Sequence, residues 1–318
     1  MNKLSVIIPV YYNADSLRLL YADMKEKALP YLEDYEIVMV DDGSADDSWA
    51  EMQGLAELDS KIKLIRLSRN FGSHAAILAG LSNCTGDCAT VKAADLQEPS
   101  EMITEMYRAW KDGNKVVLAV RTDRNDGVFQ SLFANFYYFF VRKLVLKTMP
   151  KGGFDCYLID RKVIEVLKLL DEKNSAVTLQ VLWAGFKTGI VRYARKKREI
   201  GRSRWTFAKK VKLTIDSIVS FSFVPIRFMS VVGVLFFIIS IIWGIGLILY
   251  RIFGNLQVQG WTTLMVVLLF SAGLIMMTLG ILGEYIWRAT DAARNRPVYI
   301  IDEIKGNGVP ENPDGKPE

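Results

Sequence analysis

Polar clusters stand where four apolar runs end. Tyr11-Tyr12-Asn13 follows Leu4–Val10, a run closed by Pro9 and Val10; Asp41-Asp42 follows Glu36–Val40; Ser68-Arg69-Asn70 follows Lys63–Leu67; Asp95 follows Ala89–Lys92. Neither common phosphate cradle is present: there is no G-x-G-x-x-G after the first run and no G-x-x-x-x-G-K-[ST] anywhere. This argues against a dinucleotide dehydrogenase and a P-loop NTPase. A nucleotide here would be held by carboxylates, a metal and backbone groups. Cys84, Cys88 and Cys156 fit no zinc spacing and read as reduced, structural thiols. His74, the only histidine, sits at a helix start and receives no catalytic role.

The elements that carry these clusters alternate. Apolar runs at Leu4–Val10, Glu36–Val40, Lys63–Leu67, Ala89–Lys92 and Lys115–Val120 read as strands. Amphipathic patterns at Ser16–Glu26, Ser73–Asn83 and Ser100–Lys111 read as helices between them. Such alternation predicts an α/β fold with a doubly wound, mostly parallel sheet. Sheets of this kind bind ligands beyond the carboxyl ends of their strands, where the polar clusters lie.

The second half of the chain has a different character. Phe228–Leu249 and Trp261–Leu282 carry no charge, and at about 1.5 Å per residue each can cross a bilayer core of roughly 30 Å. Lys209, Lys210, Lys212 and Arg227 precede the first run, and Arg288, Arg294 and Arg296 follow the second, whereas the connection holds only Arg251. Positive residues favour the cytoplasmic side, so the body and both termini are expected there, as a multi-pass protein of the inner (plasma) membrane. Tyr250, Trp261, Tyr285 and Trp287 stand where aromatic rings favour the interface. Met1–Val6 leads straight into a strand pattern without signal-peptide architecture. The 318 residues are 51% hydrophobic with a net charge of +5, and the mean hydropathy is +0.17. That charge suits an anionic membrane face, and without a dense basic tract it argues against nucleic acid. The segment from Lys305 to Glu318, rich in Pro, Gly and charge, reads as disordered.

Six segments in order carry a family resemblance: Val6-Ile7-Ile8-Pro9-Val10-Tyr11, Val40-Asp41-Asp42-Gly43-Ser44, Leu67-Ser68-Arg69-Asn70-Phe71-Gly72, Ala94-Asp95-Leu96-Gln97-Glu98-Pro99, Asp155–Arg161 and Gly201-Arg202-Ser203-Arg204-Trp205. Together with the two-span ending, they resemble the membrane-anchored polyprenyl-phosphate branch of glycosyltransferase family 2, across about residues 4 to 302. The resemblance implies a GT-A fold and inverting transfer of one sugar from a nucleotide sugar to a polyprenyl phosphate. It places the donor against Pro9, Tyr11, Asp42, Arg69, Asn70 and Asp95, with Asp42 hydrogen-bonding the base; helix capping is the plainer role for Asp42. It implies Mg²⁺ or Mn²⁺ on Asp95 and Gln97, against the departing diphosphate. Asp155 matches the family's acidic residue beside the transferred sugar and, with Asp95, is the expected catalytic pair. A phosphate monoester has a second pKa of about 6, so a strict base is not required. Asp155 would then orient the sugar or the attacking oxygen, or hold a turn structurally.

The acceptor phosphate, on this resemblance, is met by Arg198, Arg202 and Arg204 with Trp205 beside them, since guanidinium forks match phosphate oxygens. Arg195, Lys196 and Lys197 read instead as a solvated charge run attracted to anionic lipid. Phe207, Val211, Ile215 and Ile218 share one helical face, which predicts an interfacial helix before the first span. Val128–Leu146, rich in aromatics, is read either as a second membrane-facing piece or as a helix packed on the sheet. The resulting organisation is a GT-A domain over 1–205, an interfacial helix over 206–227, a transmembrane hairpin over 228–283, and a cytoplasmic juxtamembrane segment with a disordered tail over 284–318. The chain departs from the family at Ala93, where the first carboxylate of Asp-x-Asp is usual, and at Tyr12 and Asn13. A catalytically weak, nucleotide-sugar-binding scaffold and a chain-elongating synthase therefore stay open beside the enzyme. UDP-glucose is the first expected donor, then UDP-N-acetylglucosamine, and relatives suggest a homotetramer.

Overall fold

The computed structural model describes residues 1–122, 142, 146, 148–150, 153–154, 156–170, 176–195, 219, 224–253 and 260–306. By their contacts these fall into two units, one within Met1–Ile218 and Pro297–Glu318, the other within Val219–Arg296.

The first unit follows from the strand–helix alternation. In chain order it holds β1 (Lys3–Val10), α1 (Ala14–Lys27), β2 (Asp34–Asp41), α2 (Ser48–Leu58), β3 (Ile62–Leu67), α3 (Ser73–Asn83), β4 (Cys88–Val91) and α4 (Glu101–Lys111). Then come β5 (Val116–Arg121), β6 (Cys156–Asp160), α5 (Arg161–Lys168), α6 (Val177–Trp183) and β7 (Thr188–Tyr193). The eighth strand, β8 (Ile301–Lys305), comes from far down the chain. The strand order is β7-β5-β6-β4-β1-β2-β3-β8. β1 pairs in parallel with β2 and with β4, β2 with β3 and β5 with β7, while β6 and β8 run antiparallel to their neighbours. This is the mostly parallel sheet that the strand–helix alternation predicts; the GT-A type is what the resemblance to glycosyltransferase family 2 implies for it.

Strands covered on both faces read as continuous apolar runs, as β1 does over Val6–Val10 and β2 over Ile37–Val40, whereas Lys63 and Arg66 interrupt β3. Leu4, Val6, Ile8 and Val10 of β1 point into one core layer with Leu17, Leu20 and Met24 of α1, Met52 and Leu55 of α2, and Met102 and Met106 of α4. Ile7 faces the other side, where α3 packs so closely that a Cβ on Gly80 would lie 2.4 Å from Ile7. The order reverses at β1, with β2 and β3 to one side and β4 to the other. Open sheets bind ligands in a crevice at such a reversal, at the carboxyl ends of the strands.

β6, β7 and β8 were not among the strands expected from sequence. β8 pairs with β3, Ile65 opposite Ile304, and Arg66 and Lys305 both lie over the Trp49 ring. Of the segment from Lys305 to Glu318, expected to be disordered, Lys305 is instead the last residue of β8, paired with Leu64, and residues 307–318 lie outside the described residues. The three cysteines are free and buried.

The second unit holds α7 (Val224–Phe253) and α8 (Trp261–Ala293), which contain both uncharged runs. At 30 and 33 residues, they extend about 45 and 50 Å. Each is long and apolar enough to cross a membrane. Phe237, Trp243 and Met276 are about two-thirds exposed, an apolar surface of a kind that soluble monomers rarely present. Phe236 and Phe270 meet between the helices at 5.4 Å.

Candidate active site

Pro9 lies in the last turn of pleat in β1, and the chain then turns sharply: Tyr12 takes φ 57°. Tyr11 stands edge-on to Tyr12 at 4.7 Å, and its N–H is held by Asn13 Oδ1 at 3.1 Å. The turn is bolted to the loop after β2 by two serines: Tyr12 N–H donates to Ser44 Oγ at 3.0 Å and Asn13 N–H to Ser48 Oγ at 2.9 Å. Asp41 is fully buried. One of its oxygens accepts the Ser44 N–H at 3.0 Å and the other lies 3.6 Å from Arg66 Nε. Asp41 therefore shapes the loop from beneath. Gly43 has φ +70°, and a Cβ there would stand 2.6 Å from the Arg69 carbonyl carbon. Only glycine lets the two loops approach this closely.

Asp42 is 2% exposed and grips the loop after β3. Its Oδ1 accepts the Phe71 N–H at 2.7 Å, and its Oδ2 accepts from Gly72 N–H at 2.9 Å and Asn70 Nδ2 at 3.0 Å. Burial pushes the Asp42 carboxyl up to about 6, the Phe71 and Gly72 amides and Arg69 opposing the rise and Asp41 adding to it. Asp42 does not cap α2; Asp46 comes nearer to that, accepting the Ser48 N–H at 3.2 Å. Arg69 is exposed, lies 4.1 Å over the Phe71 ring, and keeps donors for an anion. Asp42, Arg69 and Asn70 thus belong to one locked loop pair beside Tyr11.

Across the crevice, the loop after β4 carries Asp95 and Gln97. The Gln97 N–H donates to Asp95 Oδ1 at 3.2 Å, and Leu96 between them takes φ 59°. The Ala94 carbonyl accepts Ser16 Oγ at 2.7 Å, tying the loop to α1. Beneath it lies Lys92, 1% exposed, whose ammonium donates to the Glu98 carbonyl oxygen. The Glu98 carboxylate in turn accepts the Ala93 N–H at 3.3 Å. Lys92, read from sequence only as the end of a strand run, and Glu98 and Ser16 were given no part in the site.

Asp95 and Gln97 present hard oxygens, and no cluster of three His, Cys, Asp or Glu side chains occurs among the described residues. This donor set fits Mg²⁺ or Mn²⁺, which keep waters and complete their shell with substrate phosphates. One feature was not expected: the Gln97 amide oxygen accepts from the Arg195 guanidinium, although Arg195 was grouped with the solvated run. Asp155, Arg198, Arg202, Arg204 and Trp205 lie outside the described residues, as do nearly all of 128–146 and 206–222. Both His74 ring nitrogens are buried without a hydrogen-bond partner, and burial lowers its pKa, keeping the ring neutral.

Comparison with known proteins gives a consistent picture. The profile of glycosyl transferase family 2 matches residues 5–168. A glycosyltransferase of Bacillus subtilis, YkcC, is 35% identical over 303 residues, covering 95% of this chain and 94% of its own. A prophage bactoprenol glucosyl transferase homolog of Escherichia coli K12 is 34% identical, covering 95% and 99%. A bactoprenol glucosyl transferase of Shigella phage SfII is 34% identical, covering 96% and 99%.

Proposed function

Since the chain belongs to glycosyl transferase family 2, we propose that it moves a single sugar from a nucleotide sugar, first of all UDP-glucose, to undecaprenyl phosphate. The transfer takes place at the cytoplasmic face of the inner membrane and yields a polyprenyl-phosphate sugar for the cell envelope. The observation that carries this reading is the loop pair. Asp42 with Arg69 and Asn70, and Asp95 with Gln97, stand on the loops that follow the carboxyl ends of β2, β3 and β4, strands that run parallel to β1 or to its parallel neighbour. One near-full-length relative bears the name bactoprenol glucosyl transferase and another that of a bactoprenol glucosyl transferase homolog, and α7 and α8 have the length and composition for a lipid-bound acceptor's membrane.

The acceptor phosphate, ionised near neutral pH, attacks the anomeric carbon. An oxygen–carbon bond forms on one face as the bond to the nucleoside diphosphate breaks on the other, so the centre inverts. Asp95 and Gln97 would hold Mg²⁺ or Mn²⁺, which supplies positive charge opposite the leaving diphosphate. Tyr11 and the backbone beside Pro9 line the nucleotide side, and Asp42 keeps the Asn70–Gly72 loop in place against it. Arg69 offers its exposed guanidinium to phosphate oxygens. Asp155 orients the sugar or the attacking oxygen, and Arg198, Arg202 and Arg204 with Trp205 receive the acceptor phosphate. Assembly as a homotetramer belongs to the same proposal.

The test is purified full-length protein with undecaprenyl phosphate, Mg²⁺ and a panel of radiolabelled nucleotide sugars. Label should pass to lipid from UDP-glucose above all others. No transfer from any donor at any metal concentration, with nucleotide-sugar binding retained, would instead favour the scaffold.

A further inference from the structure

We propose that Arg195 is a phosphate-binding residue of the transfer site, held on Gln97 until a phosphate ligand arrives. The inference rests on the reading that Asp95 and Gln97 hold the cation.

The backbone leading to Arg195 is fixed. Arg121 of β5 pairs with Tyr193 of β7, and Thr122 N–H and Oγ1 both donate to the Tyr193 carbonyl, at 2.9 and 3.2 Å. Two residues later the exposed Arg195 reaches across 98 positions of sequence to the Gln97 amide oxygen. One N–H is used there, and a guanidinium has five donors in a planar fork. The rest of the fork therefore lies beside the loop of Asp95, in the crevice proposed for a diphosphate.

The Gln97 oxygen has two lone pairs, but a divalent ion and a guanidinium sharing it would be held close together. A divalent ion on its oxygen would lie within a few ångströms of the guanidinium, and like charges at that separation repel strongly. When the cation–diphosphate occupies the loop, Arg195 must leave Gln97. The phosphate oxygens then present are the group that its fork matches bidentately. The phosphate could come from the nucleoside diphosphate or from the lipid acceptor; the shared chemistry is a phosphate dianion or diphosphate. Arg195 would thus couple the donor loop to the basic stretch that begins with it.

The experiment compares wild type, Arg195→Ala, Arg195→Lys and Asp95→Asn as full-length proteins in detergent. Mn²⁺ binding is read by electron paramagnetic resonance without nucleotide. Affinities for UDP with Mn²⁺ and for a short-chain polyprenyl phosphate are then read by calorimetry. Arg195→Ala should bind Mn²⁺ alone about threefold or more tightly, because the competing charge is gone, and should lose about tenfold in affinity for one phosphate ligand. Which ligand weakens identifies the source. Arg195→Lys should keep Mn²⁺ binding near wild type, since the charge remains, yet lose phosphate affinity with the fork. Unchanged binding of Mn²⁺ and of both phosphate ligands in Arg195→Ala, with Mn²⁺ binding lost in Asp95→Asn, would overturn the role of Arg195 and leave the cation site standing. Unchanged Mn²⁺ binding in Asp95→Asn would remove the cation site, and the exchange at Gln97 with it.

Discussion

Asp42 concentrates the physical conflict of the site in one side chain. Burial opposes its charge, while three N–H donors from residues 70–72 favour an acceptor with two oxygens. Asp42→Asn keeps the shape but turns one oxygen into a donor that faces other donors, at a cost of about 1–3 kcal/mol. The pH dependence has a definite sign. The folded-state pKa of about 6 exceeds the unfolded value of about 3.9. The contribution to stability is therefore fully present below about pH 4 and lost as pH rises through 6, on the order of 2–3 kcal/mol. The gap in thermal midpoint between wild type and Asp42→Asn should be wider at pH 4.5 than at pH 7.5. A gap that narrows on acidification would mean that the hydrogen bonds to the ionised form outweigh burial. Asp42, Arg69 and Asn70 stand in the polar clusters after apolar runs, and the family resemblance is what placed the donor against them. The sequence could not reveal that Asp42 is gripped by the Phe71 and Gly72 amides, because those donors are backbone, and every residue but proline has one. For the same reason Arg195 read as solvent-facing: its partner, Gln97, lies on another strand's loop.

At the scale of elements, long apolar stretches were legible, whereas burial alone was not enough: β6 is buried at every position and was still missed. β1, β2 and β3 are apolar along most of their length and were read nearly to their ends; α3 was read over Ser73–Asn83 as it stands. β7 has exposed and half-buried positions along most of its length, and β8, Ile-Asp-Glu-Ile-Lys, carries three charges in five residues. Edge strands need no continuous apolar run, so their pattern merges with that of loops. The loop after β4 was marked by Asp95 and Gln97, yet what holds it is Lys92 and Glu98 beneath. Lys92→Met keeps an unbranched chain of similar length while removing the donor to the Glu98 carbonyl. Loss of that bond and relief of a buried charge act in opposite directions on global stability, so the thermal midpoint should move by only a few degrees. The loop itself should loosen. Amide hydrogen exchange at residues 94–97 should accelerate about tenfold or more, and the affinity for UDP with Mn²⁺ should fall by a similar factor. Unaltered exchange there would show that Ser16 and the β4 backbone suffice to hold the loop.

At the scale of the whole molecule, the chain leaves the sheet unit after β7, forms the two long helices, and returns to the same sheet unit as β8. The return pairs Ile301–Lys305 with β3, so the segments before α7 and after α8 both connect to one folded unit. If α7 and α8 cross a membrane, these two segments lie on the same side of it, and so does the sheet. The charge distribution predicts the cytoplasm as that side. Lys209, Lys210, Lys212 and Arg227 on one flank and Arg288, Arg294 and Arg296 on the other outweigh the single Arg251 of the connection, and positive flanks stay in the cytoplasm. Cysteine labelling is well suited to the question, because Cys84, Cys88 and Cys156 are all buried and free, which keeps the background low. Asn255→Cys places a thiol in the connection, and Leu58→Cys places one at the end of α2, at a side chain 70% exposed. On intact cells, an impermeant maleimide should label Asn255→Cys and spare Leu58→Cys, which should react only after permeabilisation. Labelling of Leu58→Cys with protection of Asn255→Cys would put the transfer site on the outer face, away from cytoplasmic nucleotide sugars. Equal labelling of both on intact cells would mean that the two helices do not separate these sites across a bilayer at all.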